Sequence, residues 1–129
     1  MVVFKRRGFL VLAISVVLSS WLPKRSLAAC GPRRAAWAEA ERCLVSLFSD
    51  LEAPLAVGRR YLELYPDEAD RARLRAGLIG PARPLDREAL RARLARRCGQ
   101  DFRDGNTVIV DGWVLARTEA RACALAALL

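Results

Sequence analysis

The sequence predicts a mainly α fold: a small helical domain of about four to five helices with one short β-hairpin before the last helix. Three observations lead there. Apolar residues recur at three- and four-residue intervals along most of residues 35–104, the period of an amphipathic helix. Asp and Pro fall where those patterns begin, and Gly or Pro where they end. Only one stretch, Thr107 to Ala116, is rich in β-branched and aromatic residues, and Asp111-Gly112 splits it in half. With 129 residues there is room for one such domain.

The first helix is expected from Ala35 to about Ser49, with Trp37, Ala40, Cys43, Leu44, Leu47 and Phe48 on its apolar side. A second begins near Glu52-Ala53-Pro54, runs through Leu55, Val57, Tyr61, Leu62 and Tyr65, and stops at Pro66. Asp67 is expected to cap a shorter helix carrying Leu74 and Leu78. Gly80-Pro81-Ala82-Arg83-Pro84 reads as a loop. Asp86 then suits an N-cap, with Leu85 and Leu90 as its hydrophobic staple and Leu90, Leu94, Cys98 and Phe102 as the buried stripe. Arg87, Arg91, Arg93, Arg96 and Arg97 crowd the rest of that helix, and Gly105-Asn106 ends it.

In the hairpin, a two-residue Asp-Gly turn pairs Val110 with Trp113 and Val108 with Leu115, so one face is wholly apolar. On that face Trp113 is expected to pack into the core, the alternative being an exposed partner anchor. Thr118 is the expected N-cap of the last helix, with Glu119 in its first turn. From Ala120 onward that helix is Ala-, Leu- and Cys-rich on nearly every side, with Arg121 its one charge, which is the composition of a buried helix.

Charge narrows the function classes. The formal net charge is +8, but Lys5, Arg6, Arg7, Lys24 and Arg25 precede Ala29 in a stretch without acids. The remainder has 17 Arg against 14 acids, a net of +3, so the basic character gives a nucleic-acid partner little support. No His is present, which removes the commonest metal ligand, the usual general base and every Ser-His or Cys-His arrangement.

Residues 1–28 are expected to form a cleavable export signal and residues 29–129 the domain. Phe9 to Leu22 is an apolar run of 14 residues, shorter than the roughly 20 that span a hydrocarbon core. Arg6-Arg7-Gly8-Phe9-Leu10 resembles the twin-arginine export signal, with Lys5 and Val11 departing from the usual flanks. Two adjacent guanidiniums present paired planar forks that Lys does not reproduce. Lys24 and Arg25 sit at the signal's exit, as in twin-arginine signals. That resemblance implies the twin-arginine translocase as a partner during export, and a periplasmic location. Ser26-Leu27-Ala28 permits cleavage after Ala28, whereas Leu27-Ala28-Ala29-Cys30 resembles the lipobox of bacterial lipoproteins. Lipid on Cys30 would anchor the protein at the membrane; that, or an uncleaved leader, is the only membrane association the sequence suggests.

Cys30, Cys43, Cys98 and Cys123 include no C-x-x-C pair, and without His a zinc site would need all four thiolates from scattered positions. No metal or other cofactor is expected. In an exported chain an even count points to disulfides, here two bridges with three possible connectivities.

The run Asp101-Phe102 to Ala124-Leu125, with its Asp111-Gly112-Trp113 turn and Thr118-Glu119-Ala120-Arg121 helix start, resembles the ending of small twin-arginine-exported proteins of proteobacteria. Ala56-Val57-Gly58-Arg59-Arg60-Tyr61-Leu62 with Pro66 and Glu68 is similar to them as well, so the resemblance covers most of residues 53–125. It implies no reaction. A looser similarity, in size, leader and helical content, is to the small third subunits of gluconate 2-dehydrogenase-type enzymes.

Candidate sites are few. Arg117, Glu119 and Arg121 offer a partner surface beside the hairpin, against the plainer reading of local helix ion pairs. The Arg face of residues 87–97 could meet anionic lipid or an acidic partner, against the plainer reading of a solvated helix face with Glu88 nearby. Asp101 and Asp104, three apart on one helix face, read as ordinary turn chemistry, with a carboxylate pair as the sharper alternative. Tyr61 and Tyr65 read as a core-edge stripe. The expected function is that of a non-enzymatic exported accessory or binding protein working through a periplasmic protein partner. The alternative is a small stabilising or export subunit of a periplasmic redox enzyme.

Overall fold

The computed structural model describes residues 23–80 and 86–129, with side chains from Arg33 onward. Arg6, Arg7, Phe9, Leu10, the Cys30 side chain, most of the Gly80–Pro84 loop and the Leu85 staple position therefore lie outside the described residues. The elements are α1 (Pro23–Val45), α2 (Glu52–Leu64), a 3-10 turn (Pro66–Glu68), α3 (Arg71–Ile79), α4 (Arg87–Asp104), β1 (Thr107–Val110), β2 (Trp113–Ala116) and α5 (Arg117–Ala127). The chain is thus mainly helical, with one antiparallel hairpin before the last helix. Contacts divide it into Met1–Ala35, whose described part is the start of α1, and Ala36–Leu129, which holds the core.

Within that second unit α5 is the central element. Thr118, Ala120 and the run Ala122 to Ala126 are buried, as the apolar composition on nearly every side requires. Its most extensive neighbour is α2. Gly58 makes the approach possible: a Cβ there would sit 2.1 Å from the Cys123 carbonyl oxygen, so the two helices touch backbone to backbone. Around this pair the core gathers Leu44, Tyr61, Leu74, Leu78, Ile79, Leu90, Val108, Val110 and Leu125. Each fully buried aliphatic side chain of this kind contributes about 1.5–3 kcal/mol.

Several ends follow their local chemistry. Asp86 caps α4 by accepting from the Ala89 N–H at 2.7 Å, and Gly105 closes it in the left-handed region at φ 70°. The hairpin has the expected register, Val110 opposite Trp113 and Val108 opposite Leu115. Asp111 (φ 48°) and Gly112 (φ 84°) both occupy positive φ, as a primed two-residue turn demands.

Five expectations need correction. First, α1 ends at Val45, and Leu47 and Phe48 fold back onto the core from the turn beyond it. Second, Asp67 lies in the 3-10 turn, and Asp70 caps α3 by accepting from Arg73 N–H. Third, Phe102 is 52% exposed. A four-residue spacing advances about 40° per step at 100° per residue, so three steps from Leu90 carry Phe102 off the buried stripe. Fourth, Trp113 is 71% exposed, because burial along β2 rises only from Leu115 to Ala116, away from the turn. Fifth, no disulfide joins Cys43, Cys98 and Cys123 to one another. They pack as small apolar side chains instead, and Cys123 sits deep in the α2–α5 contact.

Candidate functional site

The 3-10 turn exists to place one carboxylate. Pro66 sets its first dihedral, and the turn carries Glu68 across to α5, where two arginines one helical turn apart meet it. Arg121 donates from Nε at 2.7 Å and Nη2 at 2.9 Å, and Arg117 from Nη1 at 3.0 Å. The Tyr61 hydroxyl of α2 donates at 2.6 Å. Tyr61 is itself fully buried and lies 4.8 Å from the Tyr65 ring, over which the Arg117 guanidinium sits at 5.3 Å. The Arg121 bonds, helped by Tyr61 and Arg117 and opposed by burial, hold the Glu68 carboxyl down at about 2. Burial, then the Glu68 contact, pushes the Tyr61 phenol up to about 12. The cluster ties α2, the turn and α5 together through one shared carboxylate.

A second carboxylate is treated alike. Glu41 of α1 is buried and accepts from Arg71 Nε at 3.0 Å and Nη2 at 2.6 Å, with Arg75 Nη1 at 3.4 Å. Arg75 also lies 4.5 Å over the Trp37 ring, and its buried Nε has no hydrogen-bond partner among the described residues. The Arg71 bond, outweighing burial, lowers the Glu41 carboxyl below the usual range.

Asp101 and Asp104 do not form a pair. Asp101 reaches from α4 to α5, accepting from the Thr118 backbone N–H at 2.7 Å and the Asn106 amide at 2.8 Å. Thr118, the expected cap, lies inside the helix with its own N–H capped from a distance, and Ala116 is the cap residue. Burial raises the Asp101 carboxyl, but the Thr118 hydroxyl and N–H, Asn106 and Arg97 outweigh it and leave it lowered. Asp104 accepts from Gln100 on its own helix.

The arginines of α4 are largely committed to neighbouring helix ends. Arg87 donates to the Ser46 carbonyl at 2.8 Å, Arg93 to the Ile79 carbonyl at 2.9 Å and Arg97 to the Gly77 carbonyl. Guanidiniums at the carbonyl ends of α1 and α3 satisfy orphan acceptors and oppose the helix dipoles.

Of the three residues expected as one partner surface, Arg117 and Arg121 come together on Glu68, whereas Glu119 is exposed elsewhere. Residues two apart on a helix do not share a face. Glu119 instead borders an apolar groove with Leu44, Leu47, Phe48, Leu94 and Cys98. Burial raises the Cys98 thiol, and pushes that of Cys123 up to about 12, so both stay protonated near neutrality. Among the described residues no three Cys, Asp or Glu side chains converge to hold a metal ion. No helix among them is long and apolar enough to cross a membrane.

What the structure leaves open is the hairpin. Trp113 is 71% exposed, Ile109 65% and Val114 57%, the last two a directly opposed cross-strand pair. The two strands form a sheet of their own, with no further strand along either edge among the described residues. Asp111 at the turn accepts from Arg60 Nε of α2 at 3.1 Å, which fixes the tip to the helical body. No protein-family model, curated protein or solved structure matches the chain.

Proposed function

We propose that this chain is an exported, non-enzymatic accessory or binding protein that acts by seating its β-hairpin on a protein partner. The supporting observation is a hairpin exposed on both faces, with Ile109 and Val114 on one and Trp113 on the other, displayed on a primed turn and pinned by Arg60. A large, rigid aromatic beside β-branched neighbours is the composition of an interface anchor, and Trp leads the residues found at binding hot spots. The acid and base candidates support the same reading from the other side. Glu68, Glu41 and Asp101 are saturated by hydrogen bonds, and the thiols of Cys98 and Cys123 stay protonated. Export by the twin-arginine route and residence in the periplasm rest on Arg6-Arg7-Gly8-Phe9-Leu10, and belong to the same proposal.

The test is photocrosslinking in the exporting cell. A photoreactive residue at Ile109 is expected to capture one dominant protein, and the adduct is expected to vanish with Trp113→Ala. Equal labelling from Ile109 and from Arg96, a solvent-facing position of α4, would remove the hairpin from any partner contact.

A further inference from the structure

We infer that the cavity between α3, α4 and α5 is a binding site for a small organic carboxylate with a short apolar stem. Three guanidiniums from three elements line it: Arg73 of α3, Arg97 of α4 and Arg121 of α5. Its one acidic wall, Glu68, is already shared between Arg121 and Arg117. The lining thus has three cations to one carboxylate that is spent, and the Arg73 guanidinium has no ion pair or hydrogen bond among the described residues, its backbone N–H alone being held by Asp70. Like charges gathered around a confined space are relieved by an anion, and planar guanidinium forks suit a carboxylate.

The floor sets the rest of the ligand. Leu74, Gly77 and Leu78 are apolar, and the cavity holds about 170 Å³, the volume of roughly five or six waters. Gly77 lies inside α3, where glycine costs about 1 kcal/mol relative to alanine. A Cβ there would meet nothing within 4 Å, so neither packing nor a turn calls for a glycine at this position. Its effect is to leave the floor open for a ligand's stem. An inorganic anion would use the guanidiniums and waste that floor.

The experiment titrates the exported protein with valerate, inorganic phosphate and neutral valeramide at a fixed ionic strength set with sodium chloride, followed by calorimetry and by thermal melts. Saturable binding of valerate, with phosphate weaker and valeramide silent, is expected. Arg73→Gln, which breaks no contact in the structure, is expected to weaken valerate at least tenfold. Gly77→Leu keeps every charge and fills the floor; it is expected to abolish saturable binding while melting no lower than the parent. No saturable valerate binding, phosphate binding more tightly than valerate, valeramide binding equally, or a folded Gly77→Leu variant that binds as the parent does would each overturn the assignment.

Discussion

Glu68 accepts four hydrogen bonds from side chains that lie seven, 49 and 53 residues away in the sequence, and so measures how much one carboxylate stabilises this fold. Its folded-state value of about 2 lies below the ordinary 4.5. A depressed acid contributes stability that is complete above about 4.5 and is lost as pH falls toward 2. The shift corresponds to on the order of 3 kcal/mol. Glu68→Gln is therefore expected to cost about that much at pH 7, and the gap to the parent is expected to close as denaturant melts are taken from pH 5 down to 2. A gap that stays constant over that range would mean the cluster owes nothing to charge. Gly58 is a different case, because there the constraint is space. With a Cβ 2.1 Å from the Cys123 carbonyl oxygen, Gly58→Ala must push α2 and α5 apart. The expected loss is about 2–3 kcal/mol, typical of overpacking, read as an urea midpoint that falls with an unchanged slope.

Elements whose signals were local proved legible from sequence, and those set by distant partners did not. Asp86 caps α4 and Gly105 ends it, because both act within one turn of themselves. Asp111-Gly112 makes the hairpin for the same reason: two residues that tolerate positive φ sit between β-formers. Gly112→Val, which places a β-branched side chain at φ 84°, is expected to cost about 1–3 kcal/mol. A thermal midpoint equal to the parent's would show that the turn tolerates what its dihedral angles forbid. The cap of α5 was misread because its acceptor, Asp101, lies 17 residues upstream, on another helix. The 3-10 turn was read as a helix start because Asp67 looks like a cap until Glu68 is seen to need the turn. Asp101→Ala removes an acceptor serving both Thr118 and Asn106. It is expected to cost about 1–2 kcal/mol and to speed amide exchange in the first turn of α5 ahead of the rest of the helix.

For the whole molecule, the sequence showed where the polar residues fall along the chain but not which of them meet. Arg117, Glu119 and Arg121 stood out as one polar patch, yet nothing local announced that Glu68 would draw the two arginines away from Glu119. Trp113 was placed on the correct face of the hairpin and given the wrong burial, since alternation fixes a face and not how far a strand extends over the core. The cysteines illustrate the same limit. An even count suggested staples, but Cys43 packs against the core, Cys98 lines the groove and Cys123 is buried, with no bridge among the three. The α2–α5 contact closes without a bridge among these three. The protein is accordingly expected to melt cooperatively in reducing buffer, with a midpoint within about 2 °C of that in oxidising buffer, a gap worth only a few tenths of a kcal/mol for a domain of this size. Cys123, buried beneath α2, is expected to resist alkylation until the protein unfolds, whereas Cys98 at the groove reacts before it. A midpoint that drops by 10 °C or more on adding reductant would mean that a disulfide, and not the α2–α5 contact, holds the fold.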